Sequence, residues 1–354
     1  MRLCRRAFAA LVLAATLLSG CGAVNSHHDP SGEAAEEAVA LRAGAEWIFE
    51  GAAVPMEAAP EQSAGPEAAQ NAADLGTVAN PEAPAALPLT LVPEAPGIKQ
   101  KKNSRAMIDY SNTAEGYVMV QFTAATQKRL KAQVAGPTTT YTYDLTVGEW
   151  EVFPLSDGNG NYKVTVFENV SDNQYTMELS ASFSVELNDQ FGPYLYPNQY
   201  VDYSGAVNAA AKAAELVKGK DRTLDKVFAV YDYVVKNLSY DYAKAATVTS
   251  GYLPVLDSVL QEGKGICFDY ASLMAGMLRS QGIPCKLVVG YAGKAYHAWI
   301  SVWTEESGWV DGVIYFDGIT WKRMDPTFAS SAKRSAEIMA YIGNDVNYTA
   351  KYLY

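Results

Sequence analysis

Three side chains in the C-terminal part of the chain could together perform nucleophilic chemistry: Cys267, His297 and Asp325. A cysteine attacks as its thiolate, which needs a base to take the thiol proton, and a histidine base needs an acceptor on its second ring nitrogen. His297 is the single histidine after residue 28, so a Cys–His mechanism must use it. Asp311 and Asp317 compete with Asp325 as the acceptor. We favour Asp325 because the other two flank a predicted hairpin and are typical turn residues.

The segment around Cys267 predicts that this residue opens a helix. A Gly-Lys-Gly-Ile sequence precedes it, and apolar residues follow at helical spacing until Gly282, after which Pro284 prevents continuation. A helix N-terminus offers unpaired backbone N–H groups and partial positive charge, which stabilise a thiolate and can bind an oxyanion. Gln261 is a candidate for a second oxyanion donor.

The segments after this helix predict an antiparallel sheet that carries the base and its acceptor. Strands are expected at 286–291 and 296–303, and the second of these contains His297. A hairpin is expected to join Trp309-Val310 to 313–316, and the last strand is expected at 321–324. This last strand can pair beside the strand of His297. Asp325 follows it and is held extended because it precedes a proline.

A disulfide between Cys267 and Cys285 is excluded by the predicted helix between them. About 15 helical residues at ~1.5 Å each place its ends ~20 Å apart, whereas a disulfide requires Cα atoms within about 7 Å. Cys285 is therefore interpreted as a small buried residue that begins a strand.

The middle of the chain is predicted to contain a β module followed by helices. Residues 104–190 show period-two patterns of six or seven short strands, with turn signals such as Asp-Gly-Asn-Gly between them. This pattern is typical of a small immunoglobulin-like sandwich. An aromatic linker at 191–203 leads into helices at 206–217 and 223–238, the second with Thr223 as its N-cap. A short helix is expected to begin near residue 254.

The first 103 residues are predicted to export and tether the protein. Three arginines precede the apolar run 7–18, which is followed by Leu-Ser-Gly-Cys21, and this order is typical of a secretory signal over residues 1–20. The last four of these residues resemble a bacterial lipobox, which implies lipidation of Cys21 and a lipid anchor on the outer side of the cell membrane. Residues 21–103 are rich in Ala, Glu and Pro, so we expect a disordered tether.

The charge distribution separates this tether from the rest of the chain. The net charge of the whole chain is −11. Residues 22–96 carry 12 acidic residues and one basic residue, whereas residues 97–354 have a net charge of −3. A nucleic-acid partner is not expected, because such proteins present a basic face to phosphates. The sequence shows no metal-ligand spacing, phosphate loop or nucleotide fingerprint, so we expect no cofactor and no metal.

The motifs around the three candidate residues resemble those of the transglutaminase-like superfamily. The resemblance covers about 205–330 and rests on Gly265-Ile266-Cys267, Asp269-Tyr270-Ala271-Ser272-Leu273, Leu-Arg-Ser-Gln-Gly-Ile-Pro at 278–284, Gly290-Tyr291, His297-Ala298-Trp299 and Asp325-Pro326-Thr327. It implies an α+β, papain-like catalytic domain over 191–354 with a Cys267–His297–Asp325 triad. One departure is the 28-residue interval from His297 to Asp325, which is longer than is usual in this family. We place the excess in a surface hairpin at 305–318.

This resemblance implies acyl transfer on amide bonds of a protein or peptide substrate. A thioacyl-enzyme would be resolved by water, which gives hydrolysis, or by a lysine amine, which gives cross-linking. Trp299, Trp303 and Trp309 could exclude water or could be core residues. Two alternatives to an enzyme remain: a catalytically silent binding module of the same fold, and a wall- or glycan-associated lipoprotein whose β module does the main work.

Overall fold

The computed structural model describes most of the chain from residue 90 onward. The described residues are 90–292, 295–305, 307–311, 313–316, 321–324 and 348–354. The predicted signal, Cys21 and most of the predicted tether lie outside these ranges, as does Asp325. Among the described residues no helix is long and apolar enough to span a membrane.

The β module contains eight strands in two four-stranded antiparallel sheets. Their bounds are β1 Gln100–Lys102, β2 Ala106–Asp109, β3 Tyr117–Phe122, β4 Leu130–Ala135, β5 Thr140–Asp144, β6 Trp150–Pro154, β7 Gly160–Ser171 and β8 Gln174–Val185. One sheet has the order β1-β2-β3-β6 and the other β5-β4-β7-β8. Alternate residues of β4 and β5 are buried, as their period-two sequences predict. An immunoglobulin-like topology stays a prediction.

Two details of this module differ from the sequence prediction. Strand β1 lies inside the segment assigned to the tether, and the Gly97 N–H donates to Asp109 at 2.5 Å, so ordered structure begins before residue 104. The two strands expected at about 175–179 and 181–187 are one long strand, β8, paired along its length with β7. The register of this pair shifts between Val166 and Phe167, so the period-two pattern changes phase within a continuous strand.

Buried aromatic residues join the β module to the segment that follows it. The ring of Tyr200 lies 5.5 Å from that of Tyr143 in β5 and 4.7 Å from that of Tyr354. Tyr200 also packs edge-on against Phe268 at 5.5 Å. The segment 191–203, predicted as a linker, is therefore part of the core that supports the next helices.

In the described residues five helices follow: α1 Val207–Val217, α2 Thr223–Asn237, α3 Tyr242–Thr247, α4 Leu256–Glu262 and α5 Cys267–Arg279. Two short parallel strands, β9 Ser239–Tyr240 and β10 Lys264–Gly265, pair between them. Helix α3 was not predicted, and the N-cap position of α2 is held by Arg222 rather than Thr223. All 13 residues of α5 are buried. A helix that carries mostly apolar residues on all its sides packs in the interior, and α1, α2, α4 and the adjacent sheet all contact α5.

That sheet is antiparallel, and its strands are β11 Cys285–Ala292, β12 Ala295–Thr304, β13 Gly308–Asp311 and β16 Tyr348–Leu353. Their order in the sheet is β13-β12-β11-β16. Strand β16 was not predicted. Gly290 of β11 is required at its position, because a Cβ there would lie 2.0 Å from the main-chain oxygen of Thr349.

The predicted hairpin of 309–310 with 313–316 is wrong. Strand β13 pairs with β12 instead, while β14 Val313–Phe316 pairs with β15 Trp321–Met324 in a separate two-stranded sheet. The expectation that 321–324 pairs beside the strand of His297 is therefore also wrong. Short strands of similar composition offer several possible partners, and the choice depends on packing beyond the local sequence.

Candidate active site at the start of helix α5

The helix that begins at Cys267 is preceded by a tight connection from α4. Gly263 ends α4 with a φ of 61°, and Ile266 is extended before the helix begins. A Cβ at Gly265 would lie 2.5 Å from the Cβ of Asp269, so glycine is needed where the chain enters the helix. Cys267 is the first helical residue and is 6% exposed. The first N–H groups of a helix have no intrahelical partner, so they can stabilise a thiolate or an oxyanion.

A buried carboxylate holds this helix N-terminus in place. Asp269 is fully buried, and its Oδ2 accepts hydrogen bonds from the Ile266 N–H at 2.8 Å and from the Lys244 ammonium at 2.8 Å. The hydroxyl of Tyr252 donates to the other oxygen of the carboxylate. An acid in the first turn also interacts favourably with the helix dipole. Asp269 therefore links the residue before Cys267 to two other segments.

The partners of Asp269 come from parts of the chain that the site prediction omitted. Lys244 is in α3, which Asp241 caps by accepting the Lys244 N–H at 2.9 Å. Burial raises the pKa of the Tyr252 hydroxyl, and the hydrogen bond to Asp269 raises it further, so Tyr252 stays a neutral donor. The sequence signal that could have identified Asp269 is its place as the third residue of the helix, where an acidic side chain is typical of a capping box.

His297 is on β12, which packs against α5. It is opposite Gly290 of β11 in the strand register and is 7% exposed. Its ring is stacked with that of Trp299, with centroids 6.2 Å apart, and Trp299 packs edge-on against Tyr348. The fold thus brings the elements of the predicted nucleophile and the predicted base into contact, and buries both side chains.

Tyr296, the neighbour of His297, is near the candidate nucleophile. Burial raises the pKa of the Tyr296 hydroxyl, and electrostatic interactions with Tyr352, Tyr291 and Cys267 raise it further. The hydroxyl therefore stays protonated and can donate. Neither it nor its proximity to Cys267 was inferred from the sequence.

The three tryptophans predicted near the site have different surroundings. Trp299 is 3% exposed and lies beside His297. Trp303 and Trp309 both pack on Phe191, at ring distances of 4.7 and 5.9 Å, and so contact the segment that follows the β module.

The remaining predicted site residues lie elsewhere or outside the described ranges. Gln261 is exposed in the last turn of α4, and its role as an oxyanion donor stays a prediction. Cys21 and Asp325 are not among the described residues. Cys267 and Cys285 are both free, as the helix between them predicted. In the described part of the chain, no group of three or more His, Cys, Asp or Glu side chains could hold a metal ion.

The segment that contains Cys267 and His297 matches a known protein family. Residues 210–312 match the family model described as the transglutaminase-like superfamily. This segment belongs to the transglutaminase-like superfamily. The match includes Cys267 and His297 and ends before Asp325. The predicted α+β class of this transglutaminase-like domain is confirmed by its helices packed on an antiparallel sheet.

Relatives of this chain occur in several bacteria. The chain is 25% identical over 181 residues to the uncharacterized protein YebA of Bacillus subtilis. The matched residues make up 45% of this chain and 25% of that protein. It is 29% identical over 110 residues to a protein-glutamine gamma-glutamyltransferase of Pseudomonas aeruginosa. The matched residues make up 27% of this chain and 14% of the relative. The chain thus spans a quarter or less of the length of these two relatives.

One solved structure that the chain matches is the periplasmic domain of TgpA from Pseudomonas aeruginosa bound to ethylmercury. The sequence identity is 19% and the TM-score is 0.31, with 69% of this chain and 80% of that chain covered.

Proposed function

We propose that this protein is an exported, lipid-anchored enzyme that performs thiol acyl transfer on amide bonds of proteins or peptides. The observation that carries the proposal is the position of Cys267 at the start of α5, against which the strand of His297 packs. Both residues lie within the segment that matches the transglutaminase-like family. A buried thiol at a helix N-terminus, with the one histidine of this region on a strand that packs against that helix, supports a thiol–histidine pair of the kind that nucleophilic catalysis requires.

The proposed reaction proceeds in two steps. His297 takes the proton of the Cys267 thiol while the sulfur bonds to the amide carbon, and the carbonyl oxygen becomes an oxyanion near the Cys267 backbone N–H. When this intermediate collapses, the carbon–nitrogen bond breaks and His297 returns the proton to the leaving nitrogen. The thioacyl-enzyme then reacts with water or with a primary amine, and His297 again takes and returns a proton.

The glutamine side-chain amide is the acyl donor we propose to test first. The support is the name of one relative, protein-glutamine gamma-glutamyltransferase, of which this chain matches 14%. Incubation with a peptide library and a primary amine, read by mass spectrometry, would distinguish hydrolysis from amine incorporation by the mass added to each product.

We propose Asp325 as the residue that orients His297. The strand register does not place Asp311 beside the histidine, because Asp311 is opposite Ser301, four positions further along β12. At ~3.3 Å per residue these positions are about 13 Å apart. Asp325 directly follows β15, and the family motif places an aspartate there.

Selective alkylation tests the assignment of the nucleophile. Burial raises the pKa of the Cys285 thiol to about 12, and Cys285 is fully buried, so it stays protonated at neutral pH. At pH 8 we expect iodoacetamide to label Cys267 at least about a hundredfold faster than Cys285, because only a thiolate reacts quickly. Peptide mapping by mass spectrometry gives both rates within one sample, so Cys285 is the internal control.

The pH dependence of the same labelling gives a second test of Cys267 as the nucleophile. The rate at Cys285 should keep rising as the pH approaches 12, because its thiolate forms only there. Substitution of His297 by Gln should slow labelling of Cys267 and leave that of Cys285 unchanged. Equally slow labelling at both cysteines would contradict the catalytic assignment and favour the silent binding module.

The location of the protein is tested by removing the proposed lipid anchor. Cys21→Ala should shift the protein from the detergent phase to the aqueous phase in detergent partitioning, because stable anchoring depends on the attached acyl chains. The melting temperature should not change, since the substitution lies far from the described fold in sequence. If the variant stays with the membrane, the lipid-anchor proposal fails.

A further inference from the structure

Helix α3 and the strand before it lie against the connection that leads into α5. Strand β9 pairs in parallel with β10, the two residues that precede Ile266. The Ser239 N–H donates to the main-chain oxygen of Gly263 at 2.9 Å. The Asp241 N–H donates to that of Gly265, also at 2.9 Å, and Asp241 caps α3. Helix α3 is therefore fixed by main-chain bonds to the start of α5, although the proposed reaction uses none of its side chains.

The carboxylate of Asp269 depends on one residue of α3 for a counter-charge. Asp269 is fully buried at the third position of α5, two residues after Cys267. Burying a carboxylate is costly unless a cation pairs with it. The Lys244 ammonium lies 2.8 Å from Oδ2, and among the described residues it is the only cation in an ion pair with Asp269. The same oxygen also accepts the Ile266 N–H, so it joins the counter-charge to the residue before Cys267.

Tyr252 keeps the Lys244 ammonium in this position. The ammonium lies 4.2 Å from the centre of the Tyr252 ring and donates to its hydroxyl, which in turn donates to Oδ1 of Asp269. An aromatic face attracts a cation that lies over it. The Lys244 side chain is 28% exposed, so the ring and the carboxylate enclose most of it. The positive charge is thus held at one place beside the N-terminus of α5.

Without this lysine, Asp269 would oppose the chemistry of Cys267 in either protonation state. An ionised carboxylate beside the thiol disfavours the thiolate, because like charges repel. A protonated carboxyl group accepts the Ile266 N–H less strongly, because hydrogen bonds to a charged acceptor are the stronger ones. The start of α5 would then be held less firmly around Cys267. The Lys244 ammonium prevents both effects.

We propose that Lys244 is a positioning residue of the acyl-transfer reaction. It neutralises Asp269 and thereby keeps the start of α5 in the geometry and the electric field in which Cys267 forms a thiolate. Lys244 acts through Asp269 and takes no part in proton transfer. It has this role only if Cys267 is the nucleophile, so the proposal rests on the proposed function.

The test follows iodoacetamide labelling of Cys267 against pH in the full chain, with Cys285 as the internal reference. Lys244→Met should shift the labelling profile about one pH unit upward, which slows labelling about tenfold at pH 7. Lys244→Arg keeps the charge and should stay within about threefold of the unchanged protein. The double variant Lys244→Met with Asp269→Asn removes both charges and retains an oxygen for the Ile266 N–H. Its labelling should recover to within about threefold of the unchanged protein.

Several other ionisable groups surround this end of α5 and are the same in every variant. They are on the elements around the helix start, namely His297, Tyr296, Glu262, Lys236, Asp241 and Lys264. Burial raises the pKa of the Tyr296 hydroxyl, so this group does not titrate near neutral pH. The contributions of all six are common to the profiles being compared. A shift on substitution of Lys244 is therefore assigned to its pair with Asp269.

Lys131→Met is the matched control. Lys131 is a partly buried lysine that forms an ion pair with Asp144 at 2.7 Å, and it is on β4 of the β module. Its loss should leave the labelling profile of Cys267 unchanged. Melting curves for all variants separate unfolding from a change in reactivity. Should Lys244→Met fail to fold, recovery in the double variant still distinguishes charge neutralisation from a general loss of structure.

The possible outcomes separate this role of Lys244 from the proposed function. An unchanged profile in Lys244→Met would overturn the role, as would an equal shift in Lys131→Met or slow labelling in the double variant. These results leave the proposed function intact as long as the unchanged protein labels Cys267 much faster than Cys285. If the unchanged protein labels both cysteines equally slowly, the proposed function itself fails, and the role of Lys244 fails with it.

Discussion

Asp325→Asn is expected to lower the rate of acyl transfer by about 10⁴, the loss seen when the aspartate of a nucleophile–histidine–aspartate triad becomes asparagine. In such a triad the carboxylate holds the histidine in the tautomer that can accept the thiol proton, and it stabilises the imidazolium that forms. An asparagine retains the size of the side chain and lacks both effects. Product formation from the peptide library and a primary amine gives the rate. Alkylation of Cys267 at neutral pH should slow in parallel.

Asp311→Asn and Asp317→Asn are the matched controls. Both should leave the transfer rate and the alkylation rate near those of the unchanged protein, because the register separates Asp311 from the position opposite His297 and Asp317 follows β14. A melting curve for each variant separates a loss of chemistry from a loss of fold. If Asp325→Asn reacts at the normal rate while one of the controls does not, the family pattern has been transferred to the wrong aspartate.

Arg279→Met is expected to reduce the free energy of unfolding by about 3–5 kcal/mol. Arg279 ends α5, is 2% exposed, and donates to the main-chain oxygens of Cys285 at 2.8 Å, Tyr196 at 3.0 Å and Tyr354 at 2.7 Å. Methionine has a similar stem and no donor, so three main-chain oxygens would each lose a hydrogen bond. Urea unfolding followed by circular dichroism measures the change.

Arg129→Met is the control for this substitution. Arg129 is exposed, donates to the main-chain oxygen of Asp172 and stacks over Tyr175 at 5.8 Å. Water can replace these contacts, so its loss should cost no more than about 1 kcal/mol. A similar, small loss in both variants would show that Arg279 does not tie α5 to the sheet and to the segment 191–203.

Several elements could be predicted from local sequence because their patterns are strongly periodic. Helix α2 begins at the predicted residue, α5 begins at Cys267, and β11 and β12 extend one residue beyond each predicted end. Side-chain spacing and the glycine and proline signals depend only on neighbouring residues, so the sequence contains that information directly.

The pairing of the later strands could not be predicted in this way. Strand β16 joins β11 across more than 50 residues of chain, and β15 pairs with β14 rather than with the strand of His297. Pairing depends on which edges and faces remain available after the helices have packed, and no local pattern records this.

The candidate site likewise has one part that the sequence indicated and another part that only the tertiary structure revealed. The residue types and their order along the chain predicted a nucleophile and a base and indicated the family, because catalysis requires particular functional groups and the motifs around them are local. Only the tertiary structure revealed that Asp269 connects the start of α5 to Lys244 and Tyr252, and that β9 pairs with β10 beside it. These contacts join segments far apart in sequence, and they form because burying polar groups requires partners wherever the fold brings them together.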